Sequence, residues 1–427
     1  MKILIIALGT RGDVQPYIAL GLGLERNGHK VTICTTTNFR SFVTEYGLAF
    51  EPTRDEIVEL MNTNAGRAVF DGGKSLWQTI KVYAELFKKS AAFQMQMLED
   101  TWAAAEKGKP DVIVYHPKGY GAPHFAQKLG IPVILALLAP MLVPTAAFPA
   151  FGFPTWKLGG WYNRFTSKLL MGLAAMGFGK YVKRWRKEHG MPNLRRVSLV
   201  NTPAGPPIAV MHGISRHVVP FPSDWPAYAS MTGYWFLDEP KDWQPPQSLV
   251  DFIKAGETPI YIGFGSMAGS KTAKVSQIVV DAVKKANVRA ILSTGWGGIN
   301  AQNLPDSILQ IDGAPHSWLF PRMAAVVHHG GAGTTAAGLR AGKPSLICPF
   351  FGDQPAWGRQ VHALGAGPSP IAQKDLTVDK LAAALQDLVK NADYRRNAEA
   401  LGEHLRREDS IAPALAFIEY QMALFAK

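Results

Sequence analysis

Short apolar runs alternate along the chain with stretches whose apolar positions return at a helical period. In the first half KILIIAL is followed by the helix-like QPYIALGLGLERNG, then KVTICT, a helical stretch near NFRSFVTEYG, and later DVIVYH and IPVILAL. The second half repeats the alternation with TPIYIGFG, RAILSTG, SILQIDG, AAVVHHG and KPSLICPF. Short apolar runs separated by amphipathic stretches predict right-handed βαβ crossovers and parallel sheets. The second series restarts the pattern, so it predicts a second α/β unit. From Leu376 onward three helical stretches follow without a strand. Between Pro220 and Pro259, PFPSDWPAYASM and DEPKDWQPPQ are rich in Pro and Trp and lack periodicity, which reads as linker. The expected division is therefore a first domain over 1–225, a linker over 226–258, a second domain over 259–400 and a helical tail over 401–427. Two doubly wound, Rossmann-like α/β domains predict a central cleft at the C-terminal ends of their strands, where ligands of open α/β sheets bind.

The run from Ile131 to Trp156 carries no charge and is long enough to cross a bilayer. Pro132, Pro140, Pro144, Pro149 and Pro154 interrupt it, and each removes a helix donor. The expectation is a buried strand followed by an apolar loop.

Composition narrows the class. The 427 residues are 47% hydrophobic and 18% charged, enough for two domains with cores of their own. Cys34 and Cys348 each sit in an apolar run, giving neither a disulfide framework nor a zinc spacing. Met1 leads straight into a strand-like run, so no signal peptide is read and a cytoplasmic location is expected. The net charge of +12 is concentrated: residues 156–196 hold ten Lys or Arg against the single acid Glu188. Trp156, Trp161, Tyr162, Phe165, Tyr181 and Trp185 are interleaved with them. Basic residues with aromatics suit nucleic acid or an anionic membrane surface. The apolar centre LLMGLAAMGFG, too short to span, favours the membrane surface over 156–188, at the inner face of the membrane. Against it stands an ordinary solvated helix face over a core. Nothing else in the chain favours nucleic acid.

Residues 328–338 read HHGGAGTTAAG, a buried strand end passing through a tight turn into a small-residue helix. Glycines let backbone amides approach a phosphate, and a helix N-terminus presents unpaired N–H groups with positive dipole character. Thr334 and Thr335 offer hydroxyls at the helix start, and His329 a donor to an oxyanion. The stretch reads as an anion cradle for a diphosphate. No GK[ST] follows, so it is not a P-loop, and GxGxxG is absent. GFGSM places Ser266 after the first strand of the second domain, where it would meet the same phosphates. FFGDQPAWG places Asp353 and Gln354 at a helix start, as a pair suited to sugar hydroxyls or, equally, with Asp353 as a plain N-cap. In ALGTRGDVQP, Asp13 precedes a helix with Pro16 in its first turn; it is either a capping carboxylate or a general base. An unperturbed carboxylate is a weak base for an alcohol, so a base at this position needs burial to raise its pKa or a late transition state. His116, ending DVIVYHP, lies at the matching sheet edge, as an assisting or a structural histidine.

These turns together resemble the GT-B nucleotide-sugar glycosyltransferases, over nearly the whole chain. The resemblance is nearest to the branch of sterol glucosyltransferases and antibiotic-aglycone glycosyltransferases. It is carried by GTRGDVQPYIALGLGL, YHPKGYGAPHFAQKLGIP, GFGSM, APHSWLFPRMAAVVHHGGAGTTAAGLRAGKP and PFFGDQPAWG. It implies an acceptor-binding first domain, a nucleotide-sugar-binding second domain, and an inverting, metal-independent transfer with no cofactor beyond the donor. UDP-glucose is the donor implied, with dTDP sugars as the alternative. Asp13 would deprotonate the acceptor with His116 assisting, and Thr10, Arg11 and Gly12 would help bind the nucleotide sugar. Ser266, His329, Gly331, Gly333 and Thr334 would hold the diphosphate, Asp353 and Gln354 the sugar. Trp296 and the backbone of Ala314 to His316 would line the nucleobase pocket. The acceptor implied is a sterol-like or other large apolar alcohol, the alternatives being a polyketide, a flavonoid or a glycolipid precursor. Three positions depart from the family: Ala337 where plant-type members have a ribose-binding Glu, Ser317 where the sterol branch has an acid, and His116 where plant relatives have an Asp.

Overall fold

Residues 1–54, 91–150, 153–239, 243–264, 272–294, 304–350 and 352–426 are described by the structure, a computed structural model. The chain divides into two units. One takes in the described residues up to Leu237 together with Asp409 onward, and the other runs from Asp238 to Glu408.

The first unit is built on seven parallel strands: β1 (Lys2–Ile6), β2 (Lys30–Thr36), β3 (Ala49–Thr53), β4 (Val112–Tyr115), β5 (Val133–Leu137), β6 (Ala209–His212) and β7 (Ala229–Met231). Their order is β3-β2-β1-β4-β5-β6-β7. Its helices among the described residues up to Glu188 are α1 (Arg11–Arg26), α2 (Arg40–Thr44), α3 (Ala91–Gly108), α4 (Ala122–Leu129) and α5 (Gly160–Glu188). Strands covered on both faces should read as unbroken apolar runs, and Ile3 to Ile6, Val112 to Tyr115 and Val133 to Leu137 are indeed buried throughout. Val14, Tyr17 and Ile18 of α1 bury against this sheet.

The second unit has five parallel strands: β8 (Ile260–Gly263), β9 (Ala290–Ser293), β10 (Ile308–Ile311), β11 (Val326–His328) and β12 (Ser345–Ile347), in the order β10-β9-β8-β11-β12. Its helices are α6 (Gln247–Lys254), α7 (Thr272–Ala286), α8 (His316–Leu319), α9 (Ala332–Arg340), α10 (Gln354–Ala363), α11 (Val378–Lys390) and α12 (Ala392–Arg407). The last helix, α13 (Ile411–Phe425), returns to the first unit, where Ala414, Phe417 and Ile418 join the cluster beneath α1.

Both sheets are doubly wound, as expected, and each has one switch point, between β1 and β4 in the first and between β8 and β11 in the second. Each strand expected from an apolar run is present. Three short ones were not expected. β3 carries Glu51 and Pro52 and survives because it lies at an edge, where a missing N–H is tolerated. β6 ends on the buried His212, and β7 is three residues long at the opposite edge. The stretch 226–258, expected as linker, thus contains β7 and α6, and the expected tail boundary at 401 falls inside α12. Past β5, residues 138–150 form no helix or strand, as the prolines require.

Candidate functional site

In the first unit, the turns after the adjacent strands β1 and β4 bring Thr10, Asp13 and His116 together. Thr10 is the N-cap of α1, and Asp13, three residues on, accepts its backbone N–H at 2.8 Å and its hydroxyl at 3.1 Å, both through Oδ2. The capping role is therefore real. It does not use up the carboxylate, because the other oxygen, Oδ1, faces His116 Nε2 at 3.5 Å. The helix begins at Arg11, which puts Pro16 beyond the first turn.

Lys118, a residue the sequence reading passed over, places Nζ 2.9 Å from Asp13 Oδ2. Burial pushes the Asp13 carboxyl up, but Lys118, His116 and the Thr10 N–H outweigh it and hold the group far below the usual carboxylate range. The net shift is therefore downward despite burial, and a transfer using this base candidate needs the late transition state. His116 is held neutral, chiefly by burial, with Asp13 pulling the other way. Its Nδ1 receives the Lys118 backbone N–H at 3.3 Å, which fixes the ring proton on Nε2, toward Asp13. His116 is thus a donor to the carboxylate. Tyr17 sets its edge 5.9 Å from the His116 ring and anchors its hydroxyl on the Ala136 carbonyl at 2.7 Å. A narrow apolar pocket lined by Tyr115, Pro117, Tyr120, Leu135 and Leu142 adjoins the same turn. Gly12 is exposed beside Asp13, whereas Arg11 turns along α1, donating to Gln15 at 3.2 Å and covering Phe42 at 4.6 Å.

In the second unit, His329 follows β11 and Gly331 caps α9. The N–H groups of Ala332, Gly333 and Thr334 belong to the first turn, where a helix has no internal acceptors for them. Gly333 is exposed and Thr334 half-buried, as a cradle for an external anion requires. Thr335 is a correction: it is fully buried and its hydroxyl donates to the Gly331 carbonyl at 2.9 Å, so it closes the turn and faces no ligand. Burial lowers the His329 pKa to about 4, keeping the ring neutral. Its Nδ1 is buried with no partner among the described residues, so the proton belongs on Nε2, where it can serve a ligand. A Cβ on Gly331 would stand 2.7 Å from that Nε2, so glycine is what lets the ring lie over the turn.

Asp353 and Gln354 follow β12 at the start of α10. Asp353 makes no side-chain cap bond; its Oδ2 instead accepts the Trp357 indole N–H at 2.8 Å. The plain N-cap alternative therefore fails. Gln354 is buried and its Oε1 accepts the Phe350 N–H at 2.8 Å. Ala314 is half-buried after β10, and the His316 ring stacks on Phe320 at 4.2 Å. Ser266 and Trp296 lie outside the described residues.

The basic segment also takes a definite form. α5 is buried along Tyr162, Thr166, Tyr181, Val182 and Trp185, yet its outer face is apolar too. Trp161, Phe165, Leu169, Leu173 and Met176 are 66%, 54%, 38%, 52% and 72% exposed and recur at helical spacing. An ordinary solvated face would carry charge there. Arg186, counted in the basic surface from sequence, is buried instead; it donates to the Pro192 carbonyl and to Gln127. Arg164 is paired with Asp224 at 2.7 Å. Among the described residues, no helix is long and apolar enough to cross a membrane.

Residues 3–147 match the glycosyltransferase family 28 N-terminal domain, and residues 276–414 the C-terminal domain of erythromycin biosynthesis protein CIII-like proteins. A sterol 3-beta-glucosyltransferase of Arabidopsis thaliana is 35% identical over 98% of this chain and 66% of its own length. One from Emericella nidulans is 37% identical over 98% of this chain and 30% of its own. The chain thus spans less than two thirds of these relatives. A solved structure, the glycotransferase of kitacinnamycin, superposes with a TM-score of 0.71 at 21% identity, covering 98% of both chains.

Proposed function

We propose that this chain is a GT-B nucleotide-sugar glycosyltransferase of the branch that holds the sterol glucosyltransferases, and that it moves glucose from UDP-glucose to a hydroxyl of a sterol-like acceptor. The observation that carries the reading is the likeness of almost the whole chain to sterol 3-beta-glucosyltransferases. The geometry of each unit supports it. In the first, the Asp13 carboxylate takes the acceptor proton as the acceptor oxygen bonds to C1 of the sugar. In the second, the breaking C1–O bond leaves its electron pair on the diphosphate. The first-turn amides of α9 and the Nε2 of His329 receive that charge in place of a divalent cation. Asp353 and Gln354 bind the glucose hydroxyls. A single displacement of this kind inverts the anomeric centre.

Turnover of UDP-glucose and of dTDP-glucose against a panel of sterols, phenols and polyketides tests this reading. Sterol glucoside formed from UDP-glucose is expected; turnover confined to the phenols or polyketides, or to the dTDP donor, would refute it.

We propose further that α5 lies on an anionic membrane surface, peripherally, with its exposed apolar stripe at the acyl boundary. Lys157, Lys168, Lys180, Lys183 and Lys187, all exposed, would face the headgroups. An acceptor that resides in a bilayer would be met there.

A further inference from the structure

We propose that Lys118 is a positioning residue for Asp13: its ammonium pins Oδ2 in place, and this leaves Oδ1 as the edge that takes the acceptor's proton. The proposal rests on the reading of Asp13 as the base. Oδ2 receives three donors, from the Thr10 N–H, the Thr10 hydroxyl and Lys118 Nζ, at 2.8, 3.1 and 2.9 Å. A carboxylate oxygen has two lone pairs, so Oδ2 is saturated. Oδ1 faces one donor among the described residues, His116 Nε2, at 3.5 Å, longer than a good hydrogen bond. Only Oδ1 has room for another hydroxyl.

The arrangement is built in from the backbone. The turn that carries His116 also carries Lys118, whose own N–H fixes the His116 tautomer at 3.3 Å. One short segment therefore delivers a neutral donor to one oxygen and a cation to the other. On the opposite side the chain has Gly9, at φ 141°, where a Cβ would fall 2.1 Å from Asp13 Oδ2 and 2.5 Å from Lys118 Nζ. The pair exists because that position carries no side chain. Lys118 is 47% exposed, and an isolated pair at such exposure would have little effect on stability. Its consequence lies instead in the charge and orientation of the carboxylate.

The test uses the full chain and its transfer reaction. The kcat and the KM for UDP-glucose are measured separately at neutral pH for the wild type, Lys118→Met and Lys118→Arg. Lys118→Met is expected to lower kcat severalfold with little change in that KM, while Lys118→Arg restores the wild-type kcat. A kcat in Lys118→Met equal to that of the wild type would overturn the proposal. So would unfolding of both Lys118→Met and Lys118→Gln in a thermal melt, which would make the residue structural. Full transfer by Asp13→Asn would instead remove the base reading itself, a result distinct from either.

Discussion

The indole Nε1 of Trp357 donates to Asp353 Oδ2 at 2.8 Å, across one turn at the start of α10. The bond turns the carboxylate away from its own helix N-terminus and fixes its rotamer. If Asp353 binds the sugar, Trp357→Phe should raise the KM for UDP-glucose severalfold and leave the Kd of UDP alone unchanged. Losing one such bond should lower stability by about 1 kcal/mol. Equal weakening of UDP and UDP-glucose in calorimetry would show that Asp353 acts on the nucleotide.

Gly331→Ala isolates the cradle. The position has φ −60°, which alanine adopts freely, so the only obstacle is the His329 Nε2 that its Cβ would meet at 2.7 Å. The ring must swing aside. UDP affinity should fall about tenfold or more, the loss expected for a charge-assisted donor, with little change in melting temperature. Unchanged UDP binding in this variant would remove His329 from the diphosphate site.

Acid should loosen the fold above the carboxylate range. Burial lowers His124 to about 3 and His212 and His329 to about 4, so all three are neutral when folded. Unfolded, they titrate near the ordinary histidine value of about 6.5. Between these values the unfolded chain binds more protons, so stability present above about pH 6.5 is lost as pH falls toward 4. Urea midpoints should be flat from pH 8 to 7 and decline from 6.5 to 4, less steeply in His329→Ala. A midpoint constant over the whole range would show that these rings stay hydrated.

The outer stripe of α5 gives the membrane reading a direct handle. Replacing Trp161, Phe165 and Leu173 with Ser should abolish co-flotation with vesicles containing anionic lipid, and leave transfer to detergent-dispersed sterol intact. Charge reversal at Lys168 and Lys180 should weaken flotation and make what remains less salt-sensitive. Persistent flotation of the triple variant would contradict the assignment, as would a wild-type dimer in gel filtration that the same substitutions dissociate.

Much of this was legible in the chain itself. The long apolar runs gave the central strands because a strand covered on both faces needs no polar positions, and the turns after β1, β4, β11 and β12 followed from strand polarity. Three things were hidden. Edge strands such as β3 are not apolar runs, since Glu51 and Pro52 are tolerated there. Arg186 looks like any surface base until the fold wraps carbonyls around it. Lys118 stands 105 residues from Asp13, and only the pairing of β1 with β4 brings them together. The lysine in YHPKGYG was the available signal, on the same turn as a histidine already under suspicion.

The most direct test of the central claim is the rate of sterol glucoside formation from UDP-glucose by wild-type and Asp13→Asn protein, measured alongside their UDP affinities. The expected result is turnover by the wild type, a loss of at least about a thousandfold in kcat in the variant, and equal UDP binding by both. Comparable turnover by the two, or none by the wild type with any sterol, would contradict it.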